Sequence, residues 1–302
     1  MKIHLHTGAH KTASTYMQSR LAEALPALNA AGIGYLPLVE FRETFTRHLT
    51  TPAYLEHRPT RLPELFFPHG GSDAPHGLVL SDENLIGGCD GFVKSGRLYR
   101  EAPARLARLR EILDGHDVTL FFSIRGYDSF IASAYCEAMR HSDKFTPFAE
   151  FCARIKLKRC RWPAILAGMI EALRPEKAVV WRYEDFRANA EAVIRMLAFD
   201  VALPREAKDE RDSRPSFSQT AVDILEMVAE RHGPQVAARL VNPVSRHLPK
   251  AKGFPPFDPW SEAERAELRR LYAEDCAALP VPLLAFPPEA SAEPDRRAAA
   301  RG

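Results

Sequence analysis

Short apolar runs alternate with longer segments of helical spacing along this chain. We interpret five apolar runs as strands, at residues 3–5, 33–36, 76–81, 118–124 and 177–182. Apolar residues three or four positions apart predict helices at residues 16–31, 41–49, 98–113, 128 onward, 145–155, 162–173, 189–199, 216–231 and 261–279. Capping residues are expected at Asp128, at Ser216 or Ser218, and at Ser261 with Glu264. The segment 243–259, rich in proline and basic side chains, is interpreted as a loop.

Strands that alternate with helices predict an α/β fold with three layers, α/β/α, around a central and mainly parallel sheet. Ligands of such sheets bind beyond the carboxyl ends of the strands. Polar residues follow three predicted strands directly, at 6–15, 81–84 and Arg125. We therefore expect these residues to meet in one site.

The segment between the first strand and the first helix combines small, hydroxyl and basic residues. It contains Gly8, His10, Lys11, Thr12, Ala13, Ser14 and Thr15. Backbone N–H groups at a helix start, hydroxyl donors and one ammonium together suit a bound anion. The alternative is an ordinary strand–helix turn without a ligand. The segment lacks the second glycine of a Walker A loop and has no acidic residue for magnesium, which argues against a nucleotide kinase.

Two further residues are candidates for chemistry at strand ends. Arg125 ends the strongest strand signal and precedes Ser133 by eight positions, a pair that suits a second anion. A capping or salt-bridging arginine is the alternative. Glu83 follows a buried strand, where a partly desolvated carboxylate suits a general base. The alternative for Glu83 is a surface acid at a helix start.

Other polar residues support weaker interpretations. His4, His6 and His10 raise the question of a metal, but no nearby carboxylate or cysteine completes a ligand set. We expect His6 to be a wall residue whose hydrogen bonds are satisfied, and His10 to touch the bound anion. Lys250, Lys252 and Gly253 by themselves indicate only a solvated basic loop.

Composition narrows the class of protein. The chain has 302 residues with 41 Lys+Arg against 39 Asp+Glu, a balance that does not favour a nucleic-acid or membrane-surface partner. No apolar run is long enough to span a bilayer, and no signal-peptide pattern is present. The five scattered cysteines favour neither a disulfide framework nor zinc, so we expect reduced thiols and a cytoplasmic protein. We expect a single domain over residues 1–286, substrate-side insertions at about 40–76 and 140–175, and a disordered tail at 287–302.

Four motifs, in the same order, resemble those of the sulfotransferases that use 3′-phosphoadenosine 5′-phosphosulfate (PAPS). Residues 6–15 resemble the 5′-phosphosulfate loop, and residues 123–135 resemble the 3′-phosphate motif. Residues 180–186 are similar to the R-Y-E-D-L element, and residues 250–256 to the K-x-K-G-x-x-P lid of the carbohydrate members. The chain departs from the family at His10, where proline is usual, at Ala13, where glycine is usual, and at Gly126-Tyr127 in place of Asn-Pro.

The resemblance implies a P-loop-like fold and roles for particular residues. Lys11 would stabilise the bridging oxygen of the donor, within a loop that includes Gly8, His10 and Ala13. Thr12, Ser14 and Thr15 would hold the 5′-phosphate, Arg125 and Ser133 the 3′-phosphate, and Lys252 with Gly253 would close over the nucleotide. Glu83 matches by position the glutamate base of the carbohydrate members; His6 and His10 are the alternatives. No metal is required.

The sequence leaves the acceptor and the oligomeric state open. The resemblance implies a small-molecule or carbohydrate acceptor with a hydroxyl or amine group. Two other classes remain, a P-loop-like small-molecule kinase and a non-catalytic nucleotide-binding protein.

Overall fold

A single parallel sheet forms the centre of the molecule. The computed structural model describes residues 1–49, 75–88, 90–204 and 217–286. Within these residues the sheet has five strands: β1 (Lys2–His6), β2 (Ile33–Tyr35), β3 (Gly77–Ser81), β4 (Asp117–Ile124) and β5 (Lys177–Arg182). Their order is β2-β3-β1-β4-β5, and every pairing is parallel. The five predicted strands are confirmed, with ends shifted by at most a residue or two.

Helices surround the sheet. They are α1 (Ser14–Glu23), α2 (Leu25–Ala30), α3 (Leu38–Phe41), α4 (Arg47–Leu49), α5 (Asp90–Ser95), α6 (Ala102–Ile112), α7 (Tyr127–Arg140), α8 (Phe148–Arg154), α9 (Trp162–Leu173), α10 (Tyr183–Leu197), α11 (Gln219–His232), α12 (Pro234–His247) and α13 (Glu262–Ala277). A π-helical turn joins α3 to α4, and short 3-10 helices occupy Glu83–Ile86, Leu157–Arg159 and Lys250–Lys252.

The two faces of the sheet carry separate apolar cores. Leu120 and Phe122 of β4 belong to one core, whereas Phe121 between them belongs to the other. This alternation follows from the pleat of a strand, which points successive side chains to opposite faces. The α/β expectation of a parallel sheet covered by helices on both faces is therefore confirmed. Among the described residues, no helix combines the length and the apolar character needed to cross a membrane.

The predicted helix at 98–113 begins later than expected. Leu98 is buried but lies outside α6, which starts at Ala102. Gly96 and Tyr99 have φ of 64° and 51°, which interrupts helical geometry before α6. A Cβ at Gly96 would lie 2.0 Å from the carbonyl oxygen of Arg154, so the close passage of α8 requires glycine there.

The loop expected at 243–259 is wrong over its first residues. Helix α12 continues to His247 with Pro243 inside it, because Ala237, Val241 and Ser245 form a buried stripe along this helix. The packing of α12 against α11 outweighs the hydrogen bond that proline cannot donate.

Several helix ends also differ from expectation. The predicted helix 16–31 divides at Ala24 into α1 and α2, and the helix expected from residue 189 begins earlier, at Tyr183, with a kink at Asn189. Gly126, not Asp128, is the N-cap of α7. The expected caps Ser218 and Ser261, the latter in a capping box with Glu264, are confirmed.

The expected domain limits stay predictions. Most of the 40–76 insertion and the whole 287–302 tail lie outside the described residues. The 140–175 segment contains α8, the 3-10 helix Leu157–Arg159 and α9.

Candidate functional site

The site lies at the carboxyl edge of the sheet, where the segment after β1 crosses the end of β4. The N–H of Thr7 donates to the carbonyl of Phe121 (3.3 Å), and the N–H of Ala9 donates to that of Ser123 (3.2 Å). These bonds carry the chain along β4 beyond the end of β1. We call residues 7–13 the β1–α1 loop.

The β1–α1 loop curls tightly before α1. Gly8, Lys11 and Ala13 have φ of 51°, 64° and 66°, a conformation that costs about 1 kcal/mol or more at residues with a Cβ. The Thr12 hydroxyl donates to the carbonyl of Ala9 at 2.5 Å and closes the curl. Within the described part of the chain, α1 has no side-chain capping bond at its N-cap, Ala13. Its N–H groups therefore remain available to an anion.

Buried polar atoms without a partner surround this loop. Among the described residues, His6 Nε2, Thr7 Oγ1 and Ser14 Oγ are buried and make no hydrogen bond. A Cβ at Gly8 would lie 3.0 Å from His6 Nε2 and 3.1 Å from Ser14 Oγ. Two of the unsatisfied atoms therefore crowd the same face of Gly8. Because buried polar groups are normally paired, this arrangement fits a site that receives a polar ligand.

His6 lines the wall of the site, but the expectation that its hydrogen bonds are satisfied is wrong, because its Nε2 has no partner among the described residues. Its Nδ1 lies 2.9 Å from Ser81 Oγ, and burial lowers the pKa of His6 to about 4. Among the described residues, no group of three His, Cys, Asp or Glu side chains could hold a metal ion.

Lys11 extends from the loop toward α7. Its Nζ lies 3.2 Å from Glu137 Oε2, and 31% of the Lys11 side chain is exposed against 18% for Glu137. An ammonium beside the uncapped helix start adds positive charge where an anion would bind.

Arg125 fixes the same loop from the end of β4. Its Nη1 donates to the carbonyl of Lys11 at 2.6 Å, and its Nε donates to Ser129 Oγ at 2.9 Å. The guanidinium lies 4.5 Å from the centre of the Tyr183 ring. Burial lowers the pKa of Arg125, and the nearby Glu184 and Asp128 oppose this effect.

Ser133 makes no direct bond to Arg125. It lies on α7 one turn after Ser129, which Arg125 contacts, and one turn before Glu137, which Lys11 contacts. Residues four apart share a helix face, so Ser133 stands between the two cations along α7.

The R-Y-E-D element contributes directly to this arrangement. Tyr183 stacks on Arg125, and Glu184 accepts hydrogen bonds from the N–H of Gly126 (2.9 Å) and the hydroxyl of Tyr272 (2.9 Å). Arg182 and Asp185 form a local pair through two bonds of 2.7 Å. The segment therefore braces the β4–α7 connection that carries Arg125.

Glu83 lies at the end of β3 with both carboxylate oxygens occupied. Gln18 Nε2 donates to Oε2 at 3.1 Å, and Arg42 Nη2 donates to Oε1 at 3.0 Å. The neighbouring Asp82 is fully buried and accepts bonds from Arg42 and Thr46. Among the described residues, no hydrogen bond joins Glu83 to Lys11.

His10 connects the β1–α1 loop with the end of β3. Its N–H donates to the Tyr99 hydroxyl at 2.7 Å, and its ring Nδ1 lies 3.0 Å from the same oxygen. The other ring nitrogen lies 3.1 Å from the Asn84 side chain. Burial lowers the pKa of His10, while the nearby Glu83 raises it. All ring atoms that can bond therefore bond to protein, so His10 supports the loop.

Lys252 and Gly253 lie on an exposed turn. Gly253 has φ of 88° and ends the 3-10 helix Lys250–Lys252. The residues after this turn are anchored, since the N–H of Gln219 donates to the carbonyl of Pro255 and Trp260 Nε1 donates to that of Asp128. In the part of the chain that the structure describes, neither Lys252 nor Gly253 bonds to the β1–α1 loop.

Sequence reasoning assigned no role to several residues that complete the site. Gln18 lies four positions after Ser14, so helical spacing could have placed both on one face of α1. The contacts made by Arg42, Ser129 and Glu137 carry no local sequence signal.

Comparisons with known proteins show only weak similarity to solved structures. No protein-family model matches the chain, and no curated protein matches it. Among solved structures, the chain is similar to a sulfotransferase from Alicyclobacillus acidocaldarius at 15% identity, over 78% of this chain and 93% of that one, with a TM-score of 0.39. A similarity at this level carries no argument about the function of the chain, which has to be argued from its own residues.

Proposed function

We propose that this protein is a sulfotransferase that moves the sulfuryl group from PAPS to a hydroxyl or amine of an acceptor. The observation that carries the proposal is the bond from Arg125 to the Lys11 carbonyl, which ties two cationic residues together at adjacent strand ends. PAPS presents two phosphate-bearing positions to a protein, and the sequence motifs around Lys11 and Arg125 resemble the elements that bind them.

The described groups fit the anionic part of such a donor. The uncapped start of α1, Ser14 Oγ and the Lys11 ammonium would hold the 5′-phosphosulfate. The Thr12 hydroxyl already donates to the Ala9 carbonyl. We therefore propose that the Thr12 side chain maintains the shape of the loop and that its backbone N–H contributes to phosphate binding. Arg125 and Ser133 would hold the 3′-phosphate. Lys252 and Gly253 stay candidates for a lid.

The reaction is a displacement at sulfur. The acceptor oxygen or nitrogen forms a bond to sulfur while the bond from sulfur to the bridging oxygen breaks, and its electron pair stays on the departing 5′-phosphate. Lys11 would stabilise that charge, since a loose transition state depends mainly on positioning and electrostatics. Glu83 would receive the acceptor proton. Arg42 occupies one carboxylate oxygen of Glu83, so proton transfer to that oxygen would require Arg42 to remain on Asp82 alone.

The acceptor is proposed as a carbohydrate or another small molecule, as the motif resemblance implies. A kinase or a non-catalytic nucleotide-binding protein would also bind its ligand at this edge of the sheet. The three classes of protein differ in which nucleotides they should bind and in whether they transfer a group.

Calorimetric titration with 3′-phosphoadenosine 5′-phosphate and, separately, with ATP and magnesium tests the proposal. We expect the first nucleotide to bind and the second to bind much more weakly. Tighter binding of ATP with magnesium would favour a kinase. Lys11→Ala should abolish transfer of labelled sulfate from PAPS, and Lys177→Ala, at an exposed lysine at the start of β5, serves as its control. Retained transfer in Lys11→Ala would reject the role of Lys11.

A further inference from the structure

The strongest unexplained contact in the site is the pair between Lys11 and Glu137. The residues are 126 positions apart, and their charged atoms lie 3.2 Å from each other. The proposed transfer reaction requires the Lys11 ammonium on the donor, yet here it lies on a carboxylate. A phosphosulfate and Glu137 are both anions and would compete for the same ammonium.

Glu137 has other partners that could keep it satisfied. Its carboxylate lies 3.7 Å from Arg140 Nη1 and 3.3 Å from His141 Nε2, both one turn away on α7 or just after it. Departure of Lys11 would therefore not leave a half-buried carboxylate without a cation, which would be costly.

The backbone of Lys11 is fixed while its side chain is not. Arg125 holds the Lys11 carbonyl at 2.6 Å, and the loop curl sets its φ at 64°. The long side chain is partly exposed and ends at one ion pair. Movement of Lys11 between two anions needs only rotation about side-chain bonds.

We propose that Glu137 is a positioning residue that holds Lys11 in the nucleotide-free protein and competes with the donor and its product for the Lys11 ammonium. This inference rests on the proposed sulfuryl transfer. Binding of the donor transfers Lys11 from Glu137 to the phosphosulfate. After transfer, Glu137 takes Lys11 back and promotes release of the nucleotide product.

The expected consequence is that loss of the Glu137 charge tightens product binding. Ion pairs in such a partly exposed setting are weak, so Glu137→Gln should bind 3′-phosphoadenosine 5′-phosphate about two- to fivefold more tightly, which corresponds to at most about 1 kcal/mol. Dissociation should slow by a similar factor. A merely structural role of Glu137 predicts weaker binding, the opposite sign.

The experiment is calorimetry and stopped-flow displacement of 3′-phosphoadenosine 5′-phosphate on five proteins: wild type, Glu137→Gln, Glu137→Ala, Glu137→Asp and Glu267→Gln. Glu137→Asp should remain close to wild type because it keeps the charge. Glu267 pairs with Arg270 on the exposed surface of α13, so Glu267→Gln removes one charge elsewhere and should change nothing. Glu137→Ala, which removes the charge without an amide, should also tighten binding.

Equal or weaker binding by Glu137→Gln and Glu137→Ala, with wild type binding normally, would overturn this inference alone. Absence of binding by wild type would reject the proposed function. A double-mutant cycle with Lys11→Met separates competition from simple repulsion. If Glu137→Gln tightens binding equally with and without the Lys11 ammonium, Glu137 does not act through Lys11 and the inference is wrong.

Discussion

Arg125 donates a hydrogen bond from Nη1 to the carbonyl oxygen of Lys11 at 2.6 Å. A cation at the end of β4 therefore fixes the backbone of a cation in the β1–α1 loop. Arginine suits this position because its planar fork serves Lys11 and Ser129 at once while its face stacks on Tyr183. The same geometry links the two proposed phosphate sites.

Arg125→Lys should weaken both the loop and the nucleotide site. Lysine keeps the charge but cannot reproduce two directed bonds and a stacked face. We expect about 10- to 100-fold weaker binding of 3′-phosphoadenosine 5′-phosphate, measured by calorimetry. This decrease corresponds to the loss of one or two hydrogen bonds to a charged group. Arg187→Lys, at an exposed position of α10, is the control and should bind normally. Unchanged affinity in Arg125→Lys would separate Arg125 from the nucleotide.

Gly8→Ala should destabilise the protein more than an alanine at a comparable open glycine. Gly8 and Gly115 both have positive φ, but only at Gly8 would a Cβ meet other atoms, at 3.0 and 3.1 Å. We expect about 1 kcal/mol of destabilisation for Gly115→Ala and about 1–2 kcal/mol more for Gly8→Ala. Urea unfolding of both variants measures the difference. Equal destabilisation would mean that His6 and Ser14 move aside.

Glu83→Gln should slow transfer without loss of nucleotide binding. General base catalysis contributes about 10²- to 10⁴-fold in rate, and the amide cannot accept the acceptor proton. Transfer of labelled sulfate from PAPS measures the rate, and calorimetry measures retained affinity. The exposed Glu43→Gln, close to Arg42 in the chain, is the matched control. An unchanged rate would exclude Glu83 as the base and direct attention to His6 or His10.

The buried His6 should make stability depend on pH. Burial lowers the pKa of His6 from 6.5, its ordinary value, to about 4 in the folded protein. His6 therefore binds a proton more readily in the unfolded chain, where it is exposed to water. Stability contributed by neutral His6 is present above pH 6.5 and is lost as pH falls toward 4. The loss between pH 7 and about 4.5 is about 2–3 kcal/mol.

Urea unfolding at the two pH values should therefore show a smaller loss of stability for His6→Gln than for wild type. His232→Gln, at an exposed histidine, should behave as wild type does. Identical pH dependence in His6→Gln and wild type would show that His6 does not titrate as its burial indicates.

Local sequence patterns were sufficient for the strands and for the meeting of the β1–α1 loop with Arg125 at one edge of the sheet. The β1–α1 loop and Arg125 were identified because each follows an apolar run at a strand end, and parallel strands bring such ends to one edge. Helix ends were less predictable. Pro243 predicts a helix end, but packing against α11 keeps α12 helical past this residue. Leu98 predicts an early start of α6, but the close passage of α8 beside Gly96 delays it.

The sequence by itself determined an α/β chain with a parallel sheet, a loop of small and hydroxyl residues around Lys11 and an arginine at the end of β4. Those features depend on residues that are neighbours in the chain. Only the tertiary structure decided that Lys11 lies on Glu137 and that Arg42 occupies Glu83. Such contacts depend on strand order and on the rotation of each helix about its axis, which short-range periodicity does not specify.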